Sequence, residues 1–178
     1  MPPQNSTPDP RRLPPIDPAT GLLNAYIECV RGSAVKDKFD AARGGLRFHK
    51  HMPRGIVWPF VYGFVCGTSA PDGDPADVVL LSTRAIAAGA VVGARMLGAI
   101  EAEQTIGSDT FRNDRIIAAD PLCPAHAGAR TLEDLDAGEV AAIERFFVEY
   151  NAAQGRGFRV LGLLGEPAAR ALVRPALG

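Results

Sequence analysis

Up to about residue 120 the apolar positions fall in short runs or alternate with a period of two, and from Thr131 onward they recur at helical spacing. Residues 22–30 read as a strand with Tyr26, Glu28 and Val30 on one face and Ile27 and Cys29 on the other. Residues 40–46 read as the turn of a β-hairpin, with Gly44 and Gly45 supplying positive φ. Residues 56–65 form an aromatic β segment interrupted by Pro59 and Gly63, in which a buried Tyr62 would need a polar partner. A short apolar run at 77–81 predicts a buried strand, and 91–101 a longer one bent at its glycines. Residues 104–113 read as a polar loop, and 114–119 as a return to strand. Asp136 followed by Glu139 opens a helix like a capping box, Val140, Ile143, Phe146, Phe147 and Tyr150 supply its apolar stripe, and Gly155 stops it. A closing strand at 158–164 and a short helix at 166–172, with Pro167 in its first turn, complete the pattern.

Strands first and helices last predict a mainly β fold with appended helices (α+β). The specific expectation is a five-stranded OB-like β-barrel flanked by C-terminal helices, with loops at one mouth able to carry a site. Residues 20–178 make a single domain, and residues 1–19, which hold nearly half of the prolines, read as a flexible arm. A net charge of −1 removes any general attraction to nucleic acid or anionic membrane, so neither is expected as a partner. Cys29, Cys66 and Cys123 are odd in number and lack paired spacing, which predicts free thiols in a reducing compartment. No apolar run reaches membrane-spanning length and the N-terminus lacks a signal-peptide pattern, so a cytoplasmic location is expected.

The chemistry concentrates in Asp72-Gly73-Asp74-Pro75-Ala76-Asp77-Val78. Residues two apart on an extended backbone share a face, and Gly73 and Pro75 allow a turn that brings in the third carboxylate. Three carboxylates held together repel one another, and a hard divalent cation with oxygen ligands, Mg²⁺ or Mn²⁺, relieves that repulsion. The same residues also make an ordinary acidic surface turn. Glu28 adds a carboxylate in an otherwise apolar strand, and Asp109 and Asp114 are two more within reach of the sequence argument. The cations between Arg31 and Arg54 are either a solvated hairpin face or an anion-binding wall opposite the acidic turn. His49 and His51 flank Lys50 without a third metal ligand.

The acidic turn resembles the signature of the soluble, magnesium-dependent inorganic pyrophosphatases of family I, with Ala76 where a larger apolar residue is usual. Residues 58–64 are similar to that family's Tyr-Pro-x-Asn-Tyr-Gly segment, and 146–150 to its late helix, so the resemblance spans about 22–164. It implies Mg²⁺, with Mn²⁺ as the alternative, held by Asp72, Asp74 and Asp77 with help from Glu28, Asp109 and Asp114. Asp74 is then the base for the attacking water and Tyr62 a second catalytic group. Lys36, Lys50, Arg115, Tyr62 and Tyr150 are implied as contacts to pyrophosphate or a related small phosphate compound, and a homo-oligomer as the assembly. The alternative is a degraded relative that binds metal, a phosphate compound or a protein partner without turnover. This chain departs from the family pattern at Lys38 (usually Glu), Lys50 (usually Arg), Trp58 (usually Tyr), Arg115 (usually Lys) and Asn151 (usually Lys). For a further aspartate pair five residues apart, Asp109 and Asp114 keep the interval. A gap-minimal register instead places Gln104 or Glu103 and Asn113 there, and the sequence leaves both open.

Overall fold

A computed structural model describes residues 9–175. In chain order the strands are β1 (Leu23–Cys29), β2 (Val35–Asp40), β3 (Gly45–His51), β4 (Val61–Val65), β5 (Asp77–Leu81), β6 (Val91–Ile106), β7 (Asp109–Arg112), β8 (Arg115–Ala119) and β9 (Gly157–Gly165). Helix α1 (Ala137–Ala152) precedes β9, and the single-turn helix α2 (Glu166–Ala169) follows it. The order β1-β4-β5-β8-β6 closes on itself through pairing of β6 with β1, so five strands form a ring, as expected for an OB-like barrel. Every pairing in the ring is antiparallel except β5 with β8, which is parallel. β7 and β9 extend the sheet from β6, and β2 with β3 forms a separate hairpin.

β5 is buried on both faces. Val78 and Leu80 join Leu23, Ile27, Val65 and Ile116 in one apolar cluster, while Val79 and Leu81 join Leu97, Ile117 and the α1 residues Ile143 and Phe147 in another. Alternation therefore makes one face of each ring strand the barrel interior and the other the floor on which α1 packs. The stripe predicted for α1 is the buried one, and Glu139 reaches back to the N–H of Asp136 at 3.2 Å.

Four local expectations change. The predicted loop at 104–113 is a hairpin, because β6 runs on to Ile106 and turns through Gly107-Ser108, with φ +61° at Gly107, into β7. In the β2–β3 turn only Gly44 takes positive φ. The aromatic segment at 56–65 becomes strand only from Val61. Of the arm expected at 1–19, residues 9–19 lie along the sheet. They form a 3₁₀ turn at Pro10–Arg12 and a bridge from Ile16 to Leu23, and the Asn24 side chain donates to the carbonyl of Pro14. Residues 1–8 lie outside the described residues.

Candidate active site

The chain between β4 and β5 is shaped by its own hydrogen bonds. Gly73, at φ +85°, donates to the Ala70 carbonyl, Ala70 donates to Asp74, and Asp74 N–H donates to the Asp72 carboxylate at 3.1 Å. Thr68 anchors the turn, accepting from Ala76 N–H and donating to the Val65 carbonyl. The turn presents Asp72, Asp74 and Asp77 to a cavity of about 750 Å³ on the α1-facing side of the sheet. The site is therefore built on the outer face of the ring and not within its mouth.

Six cations (Arg11, Lys36, Lys38, Lys50, Arg115 and Arg156) and four carboxylates (Glu28, Asp72, Asp74 and Asp77) line this cavity, an arrangement suited to a compact polyanion. The hairpin β2–β3 forms the wall opposite the acidic turn. Lys38 Nζ lies 3.3 Å from Asp74 Oδ2 across the gap, and Lys50 contacts Gln154 beyond α1. Lys36 Nζ sits 5.7 Å from the centre of the Tyr62 ring and 5.9 Å from that of Tyr150. Burial holds the Lys36 ammonium below its usual range. The floor is aromatic: Tyr62 stacks on Trp58 at 4.6 Å, and Phe147 lies behind.

Asp77 is the first residue of β5, and Arg115 the first of the parallel neighbour β8. Their side chains meet at 2.8 Å, with the guanidinium stacked over Phe147 and Phe158. Burial raises the Tyr62 phenol well above its ordinary value, and a hydrogen bond with Asp77 raises it further, so Tyr62 keeps its proton. Glu28 is pushed up to about 7 by burial, against a hydrogen bond from Phe39 N–H at 2.7 Å, while Asp77 pushes it further up. Burial also raises the Asp72 carboxyl, and the charges on Asp74 and Asp77 add to that rise.

Of the expected site residues, Glu28, Lys36, Lys50, Tyr62, Asp72, Asp74, Asp77, Arg115 and Tyr150 all line the cavity, and Asp109 and Asp114 do not. Asp109 sits at the exposed tip of the β6–β7 hairpin, opposite Ile106. Asp114 points to the other side of the sheet, because Arg115 beside it points in. There it accepts from Ala102 N–H at 2.9 Å, pairs with Arg112 at 2.9 Å, and lines a neighbouring recess of about 460 Å³. Gln104 and Asn113 hold the inward places. Asn113 donates to Gln104, Gln104 donates to Asn151 at 2.6 Å, and Arg115 donates to Asn113, so a neutral amide chain replaces the expected carboxylate pair. Sequence reasoning missed Arg11 and Arg156; the first comes from the supposed arm and the second follows α1, and neither sits in a motif. His49 lines the cavity while His51 packs on Phe48 at 5.0 Å, so the two do not act as a pair. Two buried groups in the cavity, Arg115 Nε and Tyr150 Oη, have no hydrogen-bond partner among the described residues.

The acidic wall fits Mg²⁺ or Mn²⁺ in its donor chemistry, since it offers only carboxylate oxygens and two of its carboxyls are held high by burial and like charge. Among the described residues no three carboxylate, histidine or cysteine groups converge on one point, and Lys38 and Arg115 neutralise Asp74 and Asp77.

A ring of five strands, an acidic turn on β5 and a cationic hairpin facing it define a pyrophosphatase-type domain, and the inorganic pyrophosphatase family model matches residues 25–177. The chain belongs to the inorganic pyrophosphatase family. It is 34% identical to the inorganic pyrophosphatase of Gluconobacter oxydans over 130 residues, 72% of this chain and 73% of that one. It is 30% identical to that of Thermus thermophilus over 170 residues, 94% and 95% of the two chains. The crystal structure of inorganic pyrophosphatase from Thermus thermophilus superposes with a TM-score of 0.82 at 29% identity, covering 93% of this chain and 95% of that one. That of Helicobacter pylori gives 0.77 at 29%, covering 85% and 89%.

Proposed function

We propose that the protein hydrolyses inorganic pyrophosphate to two phosphates in the presence of Mg²⁺, with Mn²⁺ as the alternative ion. The single observation that carries this reading is the cavity itself, where the acidic turn faces a wall of lysines and an arginine across a space that fits a small polyanion. Asp72, Asp74, Asp77 and Glu28 would hold the metal, which when bound offsets phosphate charge and acidifies water. Asp74, at the open edge of the turn, takes a proton from the attacking water. Lys36, Lys50 and Arg115 offset charge on the phosphate oxygens, and Arg115 is steadied for this by Asp77. Tyr150 donates the hydroxyl that has no partner among the described residues, and Tyr62, as the protonated phenol, turns its hydroxyl from Asp77 to the phosphate. A homo-oligomer and a cytoplasmic location belong to the same proposal. Among the described residues no helix is long and apolar enough to cross a membrane.

The test is release of phosphate from pyrophosphate by purified protein with Mg²⁺, with phosphate monoesters in parallel and the assembly read by light scattering. Turnover specific to pyrophosphate is expected. Lys38 on Asp74 and the amide chain at Gln104, Asn113 and Asn151 favour one second reading, a pyrophosphatase-like protein that binds a phosphate compound without cleaving it. Calorimetric binding of pyrophosphate with no phosphate release would select that reading.

A further inference from the structure

One cluster of reactive groups lies apart from the cavity. The chain after β8 runs through consecutive turns from residue 121 to 128 and carries Cys123 and His126. Cys123 Sγ accepts from Thr83 N–H at 3.4 Å, and Thr83 Oγ1 is 3.5 Å away. His126 Nδ1 lies 3.7 Å from the same sulfur, and His126 Nε2 lies 2.8 Å from Glu139 Oε1 at the start of α1. A carboxylate on one imidazole nitrogen fixes the tautomer and leaves the other nitrogen facing the thiol, which is how an activated nucleophile is assembled.

We propose that Cys123, His126 and Glu139 form a thiolate–imidazolium relay that makes Cys123 the peroxide-reactive thiol of this protein. All three cysteines are free and buried, but their surroundings differ. Cys29 and Cys66 sit in apolar clusters, where burial pushes each thiol up to about 12. At Cys123 burial acts in the same direction, yet the Thr83 hydroxyl and N–H and the His126 ring outweigh it and bring the thiol down to about 6. Burial lowers His126, while Glu139 and Cys123 raise it to a net rise, so imidazolium and thiolate support each other. Of the other charges beside the turn run, Asp120 and Arg84 pair with one another at 2.9 Å, and Arg95 donates to the carbonyls of Ala127 and Ala129 at 2.8 and 3.2 Å.

In the reaction the thiolate attacks one oxygen of a hydroperoxide and the O–O bond breaks. Sulfur is oxidised by two electrons to a sulfenic acid. The departing hydroxide, or alkoxide, takes the proton from His126. The sulfur itself has no exposed surface, so the oxidant must be small and enters as the turn run opens locally.

The test treats the native protein with hydrogen peroxide at pH 7, traps sulfenic acid with dimedone and maps the labelled peptide. Iodoacetamide alkylation is followed in parallel from pH 5 to 9. Dimedone is expected on Cys123 and not on Cys29 or Cys66, with the pH midpoint of alkylation well below the ordinary thiol value of about 8.5. His126→Asn is expected to slow alkylation at pH 7 about tenfold or more and to move the midpoint toward that ordinary value. Glu139→Gln keeps a side chain able to accept from Asp136 N–H and is expected to shift rate and midpoint in the same direction by less. It decides the matter if His126→Asn does not fold. Labelling of Cys123 no faster than Cys29 and Cys66, or unchanged rates in a folded variant, would overturn the proposal.

Discussion

Single side chains set both the reach of the acidic turn and its cost to the fold. Asp74 is the carboxylate of the three that stands at the open edge, with Lys38 as its protein partner. On the proposed mechanism Asp74→Asn removes the proton acceptor and keeps the shape. Phosphate release is expected to fall by roughly 10²–10⁴, the range for loss of a general base; a near-normal rate would take Asp74 out of the reaction. Glu28 supplies the pH dependence. Its carboxyl is raised from 4.5 to about 7 in the folded protein, so the native state holds a proton that the unfolded chain gives up earlier. Stability of the metal-free protein should then be greatest below about pH 4.5 as far as this group is concerned. It should fall as pH rises toward 7 and level off above it, by about 3 kcal/mol in total. Urea melts in chelator at pH 6 and pH 8 measure this, and Glu28→Gln should flatten the difference. A wild-type protein more stable at pH 8 than at pH 6, with the variant unchanged, would contradict it.

Strands and their pairing determine which side chains meet, and here the sequence is legible only in part. β1, the β2–β3 hairpin, β5, α1 and β9 follow from runs, alternation and caps, each contained within a few residues. The β6–β7 hairpin escapes notice because Glu101, Glu103, Gln104 and Thr105 scatter polar groups over both faces of β6, which erases the period-two signal. The parallel pairing of β5 with β8 leaves no local trace either, yet it is what brings Asp77 to Arg115. The choice between Asp109 with Asp114 and Gln104 with Asn113 likewise depends on β6 pairing with β7 in the register Gln104 to Phe111. Gly63 illustrates a constraint that only pairing reveals. A Cβ there would lie 1.9 Å from the carbonyl oxygen of Tyr26, where β4 crosses the bulged part of β1. Gly63→Ala must push the strands apart and is expected to destabilise by about 1–3 kcal/mol. Since Tyr62 adjoins it, phosphate release should drop as well. A denaturant midpoint equal to wild type would show that the two strands yield without cost.

At the scale of the molecule, the site has one rigid side and one suspended side. Tyr62, Asp77 and Arg115 lie on β4, β5 and β8 of the closed ring, which are buried along nearly their whole length, and the acidic turn is the link that joins β4 to β5. The opposing lysines belong to the β2–β3 hairpin, a two-stranded sheet outside the ring that reaches across the cavity through Lys38 to Asp74 and through Lys50 to Gln154. A two-stranded hairpin is marginal on its own, so its order depends on its ties to the ring, where Phe39 packs on Tyr26 and donates to Glu28, and on the cavity bridges with whatever anion lies between them. Hydrogen exchange should therefore find the amides of residues 35–51 less protected than those of β5 and β8. Adding Mg²⁺ with a methylene-bridged pyrophosphate analogue, which cannot be cleaved, should slow hairpin exchange by up to about 100-fold at a ligand concentration 100 times Kd. The ring strands open only with global unfolding, so the same ligand slows them only as far as it stabilises the whole protein. Protection that rises in β5 and β8 while the hairpin is untouched would mean that the anion binds without engaging the cationic wall, and the cavity would lose its claim to be the place where pyrophosphate is held.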